Sequence, residues 1–390
     1  MKISIFNGVG TLDYLLGLVS GLSQVKEDDI DVLDSFERIK VFAPFNNVNY
    51  FPVFSVKYSK STGIKKAWNI LRFYYLQVFY LLSRKPRIIH FQWLERHKII
   101  DRIVIPLIAK VRGHKTVLTV HNVNAGKRDN RNTWFNTLTL KLLYKLCNQL
   151  IVHTEKSKEE LQADFKLPGS KISVIKHGMN IRVNQAGLTR EEARNILEIN
   201  QEERVVLFFG NIDHYKGLDV LIESLNLLPL DFADNFRLII AGKIKSSEYK
   251  KLIDEIINRS RLKHRITSKM SFIHDKDVEA YFVASDCAAL PYREIYQSGI
   301  IFMAYAFGLP VLVSDVGNFR QDVPDGKSGF IVSENSPQAW SLMIQRYFSS
   351  ELCINLPESR DKIKTWAKSN YSWDEIGKET RKVYESMLQE

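Results

Sequence analysis

Cysteine is scarce in this chain of 390 residues: Cys147, Cys287 and Cys353 stand far apart, with no C-x-x-C pair and no Cys/His metal spacing. A disulfide-stapled or zinc-built scaffold is thereby excluded, and free thiols in a reducing compartment are expected. Long apolar runs are missing too. No uninterrupted stretch reaches the roughly 18 residues of a bilayer-spanning helix, so none is expected. The stretch after Met1-Lys2 resembles a signal peptide only superficially, because Asn7 and Asp13 interrupt it and no clean cleavage site follows. A first strand with its phosphate loop explains it better, and a cytoplasmic protein is the expectation. Internal repeats and low-complexity tracts are absent.

Acidic residues nearly vanish from one region. Residues 51–150 hold 19 basic and 3 acidic residues, a net +16 that exceeds the +11 of the whole chain. Residues 1–50 carry 4 basic and 7 acidic ones, a net −3. A basic domain beside a nearly neutral one suggests an anionic partner: membrane surface, phosphorylated acceptor or nucleic acid. No RNA-binding motif accompanies the charge, so nucleic acid is not expected.

What is present is length and alternation. The 390 residues exceed one ordinary α/β core, and 45% apolar content supplies two. Strand-type and helical segments alternate throughout, the pattern of parallel sheets with crossover helices. In the first half the strands read Lys2–Phe6, Arg87–Gln92, Thr116–Val120 and Leu150–His153, with another near Ile39–Phe42. Helices read Gly63–Arg84, Arg102–Val111 and Thr133–Cys147, and an S-x-x-E box at Ser157 and Glu160 opens one more. The second half restarts with strands Val205–Gly210, Arg237–Ala241, Ser271–Ile273, Cys287–Leu290, Pro310–Val313 and Gly329–Val332. The polar stretch Arg182–Glu203 reads as the linker, and a box at Ser372 and Glu375 opens the last helix. The expected organisation is an N-terminal domain over 1–183, a C-terminal domain over 184–360, and helices over 361–390 packing back on the first domain. Two doubly wound domains set strand ends on either side of a cleft, where open α/β sheets bind ligands.

Three segments carry chemistry. After the first strand, Gly8 and Gly10 let backbone approach a phosphate before a helix N-terminus, but Asp13 breaks the full G-x-G-x-x-G fingerprint. Phe209-Gly210-Asn211-Ile212-Asp213-His214-Tyr215-Lys216-Gly217 sets a lysine at a strand-to-helix loop, where it can reach a diphosphate as a point charge. Leu290-Pro291-Tyr292-Arg293-Glu294-Ile295-Tyr296-Gln297-Ser298-Gly299 brings Glu294 to a strand's carboxyl end and opens a helix at Gln297, Ser298 and Gly299. Free N–H groups there suit phosphate, and a carboxylate beside them suits sugar hydroxyls. Each lysine or carboxylate could equally be a solvated loop residue.

With Val174-Ile175-Lys176-His177-Gly178, Asp315-Val316-Gly317 and Asp325-Gly326-Lys327-Ser328-Gly329, these segments resemble the family-four glycosyltransferases of the GT-B fold. The resemblance covers residues 170–350 densely and the first domain loosely, through the glycine loop and Thr119-Val120-His121-Asn122. It implies a retaining hexosyltransferase with a UDP- or GDP-linked sugar as donor, no cofactor and no essential metal. Lys216 resembles the diphosphate-binding lysine, Glu294 the first glutamate of E-x7-E, and His121 the histidine facing the donor sugar. His177, before a glycine at the domain junction, joins the donor contacts. Met303 stands where the second glutamate belongs, so the ribose carboxylate is absent. Asn211 replaces the usual arginine of the lysine loop, with Arg293 or His214 as substitutes.

Asp29-Ile30-Asp31, expected in a loop, and Asp275-Lys276-Asp277, before a helix, match the metal motif D-x-D, but capping and solvation explain both. His90 and His153 sit on apolar strands as core histidines. On Gly63–Arg84, Ile64, Trp68, Leu71, Tyr75, Val78 and Leu82 form an apolar stripe, with Phe73, Leu76, Phe79 and Tyr80 on other faces. Lys57, Lys60, Lys65, Lys66, Arg84, Lys85 and Arg87 flank it. Either an interfacial helix on anionic lipid or a buried helix with charged ends has this pattern. The expectation is therefore a glycosyltransferase peripheral to the inner face of the cytoplasmic membrane. Its acceptor would be a glycan or polyprenyl-linked molecule of bacterial-type surface polysaccharide synthesis. A nucleotide-sugar epimerase or phosphorylase, or a non-catalytic basic binding protein, are the alternatives.

Overall fold

Short, almost wholly apolar runs form the strands, as parallel sheets covered on both faces require. The structure, a computed structural model, describes residues 1–389 except 9–11, 55–62, 95–96, 129–131 and 180–185. Gly10, Lys57, Lys60 and the start of the expected linker at Arg182 therefore lie outside the described residues. Two units separate: Met1–Gly178 with Tyr371–Glu390, and Met179–Asn370. Of the C-terminal stretch from 361, only residues from Tyr371 return to the first unit.

The first unit holds β1 (Lys2–Asn7), β2 (Asp29–Ser35), β3 (Val48–Phe54), β4 (Ile88–Trp93), β5 (Lys115–Thr119), β6 (Gln149–Val152) and β7 (Ile172–Val174). They form one parallel sheet in the order β3-β2-β1-β4-β5-β6-β7. Its helices are α1 (Leu12–Leu22), α2 (Ile39–Phe42), α3 (Gly63–Ser83), α4 (Ile105–Val111), α5 (Ala125–Arg128), α6 (Trp134–Leu146) and α7 (Glu155–Phe165). Chain direction across the sheet reverses after β3. Right-handed crossovers then set α1 on one face and α3, α4, α6 and α7 on the other. The C-terminal helix Trp373–Gln389 packs on α1. Glycines permit that contact: a Cβ on Gly17 would sit 2.0 Å from the Trp373 ring, and one on Gly377 2.4 Å from the Gly21 backbone.

Three expectations change here. Ile39–Phe42 is a single helical turn, not a strand, and its Phe42 ring stacks on Tyr50. The strand lies earlier, because Asp29-Ile30-Asp31 belongs to β2 rather than a loop. Asp31 is buried there with Arg87 2.7 Å away, so the carboxylate is neutralised inside the sheet. Thr154, not Ser157, caps α7, with its hydroxyl accepting from the Ser157 N–H.

In the second unit β8 (Arg204–Phe209), β9 (Phe236–Ala241), β10 (Ile266–Lys269), β11 (Cys287–Leu290), β12 (Val311–Ser314) and β13 (Gly329–Val332) make a parallel sheet. Their order is β10-β9-β8-β11-β12-β13. The strand expected at Ser271–Ile273 is β10, a few residues earlier. The helices are α8 (Arg190–Ile196), α9 (Leu218–Leu225), α10 (Leu230–Ala233), α11 (Ser247–Arg259), α12 (Asp275–Ala284) and α13 (Gly299–Ala306). After them come α14 (Phe319–Asp322), α15 (Pro337–Phe348), α16 (Glu351–Ile354) and α17 (Leu356–Asn370), and Trp373–Gln389 is α18.

Candidate functional site

Where the connections of two neighbouring parallel strands leave in opposite directions, the carboxyl ends part and open a crevice. That switch lies between β8 and β11 in the second unit and between β1 and β4 in the first. The lysine loop follows β8, the Glu294 segment follows β11, and the glycine loop follows β1.

Gly210 leaves β8 at φ 105°, a conformation that disfavours a side chain. Asp213 accepts from the His214 N–H at 2.8 Å and starts a 3₁₀ turn over His214–Lys216. Gly217, at φ 64°, passes so close to β11 that a Cβ would lie 1.9 Å from the Pro291 carbonyl oxygen. The loop thus folds Lys216 inward, leaving it 6% exposed. Its Nζ donates to the Tyr292 hydroxyl at 3.0 Å and lies 4.8 Å from that ring's centre. Burial pushes the Tyr292 phenol above its ordinary range, so this partner is neutral. Ser298 Oγ lies 3.4 Å from the same hydroxyl.

Ser298 is the N-cap of α13 but makes no side-chain capping bond, and a Cβ on Gly299 would meet nothing within 4 Å. The N-terminus of α13 thus opens at an exposed glycine, Gly299, a position that suits an anion. Glu294 is exposed and Asn211 is exposed. Gln297 is half-buried, and its Oε1 makes no hydrogen bond among the described residues. Met303 lies one turn into α13, half-buried.

Arg293 works differently. Its guanidinium makes a bidentate pair with Asp219, at 2.9 and 2.5 Å, and donates to the His214 carbonyl at 2.7 Å. It ties the β11 segment to the lysine loop. Burial raises the Asp219 carboxyl, but the bonds from Arg293 and Tyr249 outweigh this and hold it below its usual value. Sequence reading missed Asp219, Tyr292 and Asn335, whose amide donates to the Pro291 and Tyr292 carbonyls at 3.1 and 3.3 Å. Nothing in the motif spacing marks Asn335, since it lies 43 residues beyond Tyr292.

In the first unit a Cβ on Gly8 would lie 2.4 Å from the Trp93 carbonyl oxygen, so the β1 loop crosses the end of β4 at van der Waals limit. His121 follows β5 and its ring lies flat on Trp93, centroids 4.5 Å apart and planes 2° apart. Tyr14 meets it edge-on at 4.6 Å. His153 Nδ1 lies 3.0 Å from the Ile175 carbonyl, which only accepts, so its proton sits there. His153 Nε2 lies 3.3 Å from His121 Nδ1. His121 Nε2 carries its ring proton and donates to Gln92 Oε1 at 3.2 Å, since an amide oxygen only accepts. His177 bonds the Gly178 carbonyl through Nδ1 at 2.7 Å, beside Tyr14 and Trp373. Burial pushes His153 to about 4, and burial with neighbouring imidazoles pushes His121 well below its usual value and His90 and His177 to about 3. All four rings are neutral at physiological pH. His90 and His153 are buried as expected of core residues, yet the His153 ring also packs against His121, centroids 5.2 Å apart.

Lys65, Lys66 and Trp68 are exposed on α3. Arg84 is not part of a free basic flank: its guanidinium stacks over Phe51 and Tyr80 at 5.1 and 5.0 Å and lies 3.6 Å from Asp31. Arg87 is buried on the same aspartate. Val78 is half-buried, and Phe79 takes its place in the exposed row. Among the described residues no three His, Cys, Asp or Glu side chains gather as metal ligands, and no helix is long and apolar enough to cross a membrane. A cavity of about 670 Å³ in the second unit is bordered by Arg204, Asp286 and Arg360. Arg204 opens β8 and Asp286 precedes β11, so it lies at the wrong end of the strands for a switch-point ligand.

Two family models match in tandem: Glycosyltransferase Family 4 over residues 38–183 and Glycosyl transferases group 1 over 189–370. An uncharacterised glycosyltransferase of Methanocaldococcus jannaschii is 26% identical over 255 residues, 63% of this chain and 62% of that protein. A D-inositol 3-phosphate glycosyltransferase of Mycobacterium marinum is 27% identical over 263 residues, 65% of this chain and 52% of that protein. The matched region thus spans only about half to two thirds of these relatives. Sucrose-phosphate synthase from Thermosynechococcus elongatus superposes with a TM-score of 0.75 at 15% identity, over 100% of this chain and 99% of that one. Anabaena HepE in complex with UDP-glucose gives 0.73 at 15%, over 99% and 100%. Both likenesses establish the two-domain α/β fold.

Proposed function

This chain belongs to the family-4 glycosyltransferases of the GT-B fold, and on that premise we propose that it moves a sugar from a nucleoside-diphosphate sugar to a glycan or polyprenyl-linked acceptor, with retention and without a metal. The observation that carries the reading is the buried Lys216, held by the neutral Tyr292 hydroxyl beside the open N-terminus of α13. A donor diphosphate is the ligand that such a lysine and helix end fit together. As the bond from the anomeric carbon to the phosphate oxygen breaks, charge grows on the leaving diphosphate, and both groups stabilise it. Glu294 accepts hydrogen bonds from sugar hydroxyls. The acceptor hydroxyl bonds to the anomeric carbon of an oxocarbenium-like sugar and gives up its proton to the departing diphosphate oxygen. The Anabaena neighbour was solved with UDP-glucose, a member of the proposed donor class, and a UDP- or GDP-linked sugar is the donor proposed for this chain. The first unit receives the acceptor, and its basic charge suits synthesis of surface polysaccharide at the inner face of the cytoplasmic membrane.

The test is nucleoside diphosphate release from a panel of UDP- and GDP-sugars, with and without lipid-linked acceptor and with a chelator present. Acceptor-dependent release that survives chelation supports the reading. Conversion of the donor alone means an epimerase, release lost to chelator means a metal site, and no turnover of any donor means a binding protein.

A further inference from the structure

The helical layer on one face of the first sheet runs α3, α4, α6, α7. Exposed positions on these helices face away from the sheet, where water-facing helices carry charge. On α7 they do: Glu155, Lys156, Glu159, Gln162 and Asp164 are exposed. On the three helices before it large apolar residues occupy most of them, with basic residues between. The exposed row of α3 is Ile64, Trp68, Leu71, Tyr75, Phe79 and Leu82, with Trp68 67% accessible. That of α4, with the turn leading into it, is Val104, Leu107 and Val111, the last 78% accessible. Trp134, Phe135, Leu138 and Leu142 follow on α6, with Trp134 77% accessible. With Ile99, fourteen of the twenty-four large exposed apolar residues among the described ones fall on this face, so it is one patch and not scatter.

Charge decides what covers it. Between Gly63 and Cys147 the chain has three acidic residues. Asp101 is buried on Tyr74 and His97, and Glu95 and Asp129 lie outside the described residues. Exposed Lys65, Lys66, Arg72, Lys98, Lys110, Arg112 and Lys145 stand around the apolar rows. A second copy of this chain would bring like charges together with no described carboxylate on the face to pair them. A surface that is apolar in depth and anionic at its boundary fits both properties, and indole and phenol rings suit that boundary.

We propose that the outer face of α3, α4 and α6 together docks on an anionic lipid bilayer. The proposal adds a partner to the reading above, and rests on it only for why a bilayer would matter to the acceptor. Flotation with vesicles needs no donor, so its outcome is independent of turnover. The full chain should float with phosphatidylglycerol-containing vesicles, stay behind with pure phosphatidylcholine, and detach as salt shortens the screening length to below about 10 Å. Leu107→Glu and Trp134→Glu, each fully folded by thermal melting, should lower binding as much as Trp68→Glu. Each lysine among Lys65, Lys98 and Lys110 changed to glutamine should cost about fivefold in vesicle affinity, while Lys156→Gln on α7 should cost nothing. Full-strength binding by the α4 and α6 variants would overturn the three-helix face. So would absence of binding to anionic vesicles, or a lipid-free dimer in sedimentation that Trp134→Glu dissociates.

Discussion

At the scale of single residues, the site divides into groups legible in sequence and groups that only folding brings in. Lys216 and Glu294 were legible because each sits in a strand-to-helix loop bounded by glycine, where the backbone geometry itself restricts the chemistry. Arg293 was misleading for a physical reason. Beside Glu294 it reads as a phosphate contact, but Asp219, in the first turn of α9, engages both its terminal nitrogens. The His121 network was invisible because its members come from β4, β5, β6 and the strand ends, and no spacing links them. Glu294→Gln keeps the shape and removes the charge. Its exposed position predicts an unchanged melting temperature with turnover reduced at least about tenfold, the loss of roughly one charged hydrogen bond. Unchanged turnover would assign the sugar hydroxyls to another residue.

At the scale of elements, apolar strands of the second unit were read almost to the residue, since Cys287–Leu290 and Gly329–Val332 are β11 and β13. β2 and β3 escaped. Three aspartates mask the apolar residues of β2, and Pro52 breaks the strand signal of β3, which tolerates it as the sheet edge. The return of α18 onto α1 was expected in outline, but not its device. Gly17 and Gly178 each leave the room that the Trp373 ring fills, and that ring meets Tyr14 edge-on at 5.1 Å. Trp373→Ala should therefore destabilise the first unit by about 3–5 kcal/mol, the usual cost of emptying a buried indole site. It should also disturb His177 chemical shifts while leaving the second unit's melting transition in place. A shift of less than about 1 kcal/mol would mean that α18 is held chiefly by other contacts, such as the pairing of Arg381 with Asp28.

At the scale of the whole molecule, the two units differ in what acid does to them. His90 and His153 are buried neutral, with pKa values pushed to about 3 and about 4. Unfolded, they titrate near 6.5, so below that pH the unfolded state takes up protons that the folded state refuses. The stability they support is complete above about pH 6.5 and is lost as pH falls towards the folded values. At pH 5 each contributes about 2 kcal/mol less than at pH 7. In the second unit the depressed carboxylates include Asp219 and Glu203, whose contribution is lost only in stronger acid. Calorimetry from pH 7 to pH 5 should lower the first unit's transition and leave the second nearly fixed. Parallel shifts of both transitions would contradict the neutral histidine cluster.

The central claim is that Lys216 holds the diphosphate of a sugar donor at the β8–β11 switch. The direct test is acceptor-dependent nucleoside diphosphate release by Lys216→Ala beside the unaltered protein, with Tyr292→Phe as a control that keeps the ring. Loss of about 2–4 kcal/mol in kcat/KM for Lys216→Ala, with a much smaller loss for Tyr292→Phe and both proteins folded, is the predicted result. Near-normal release by Lys216→Ala would contradict the account and move the diphosphate elsewhere.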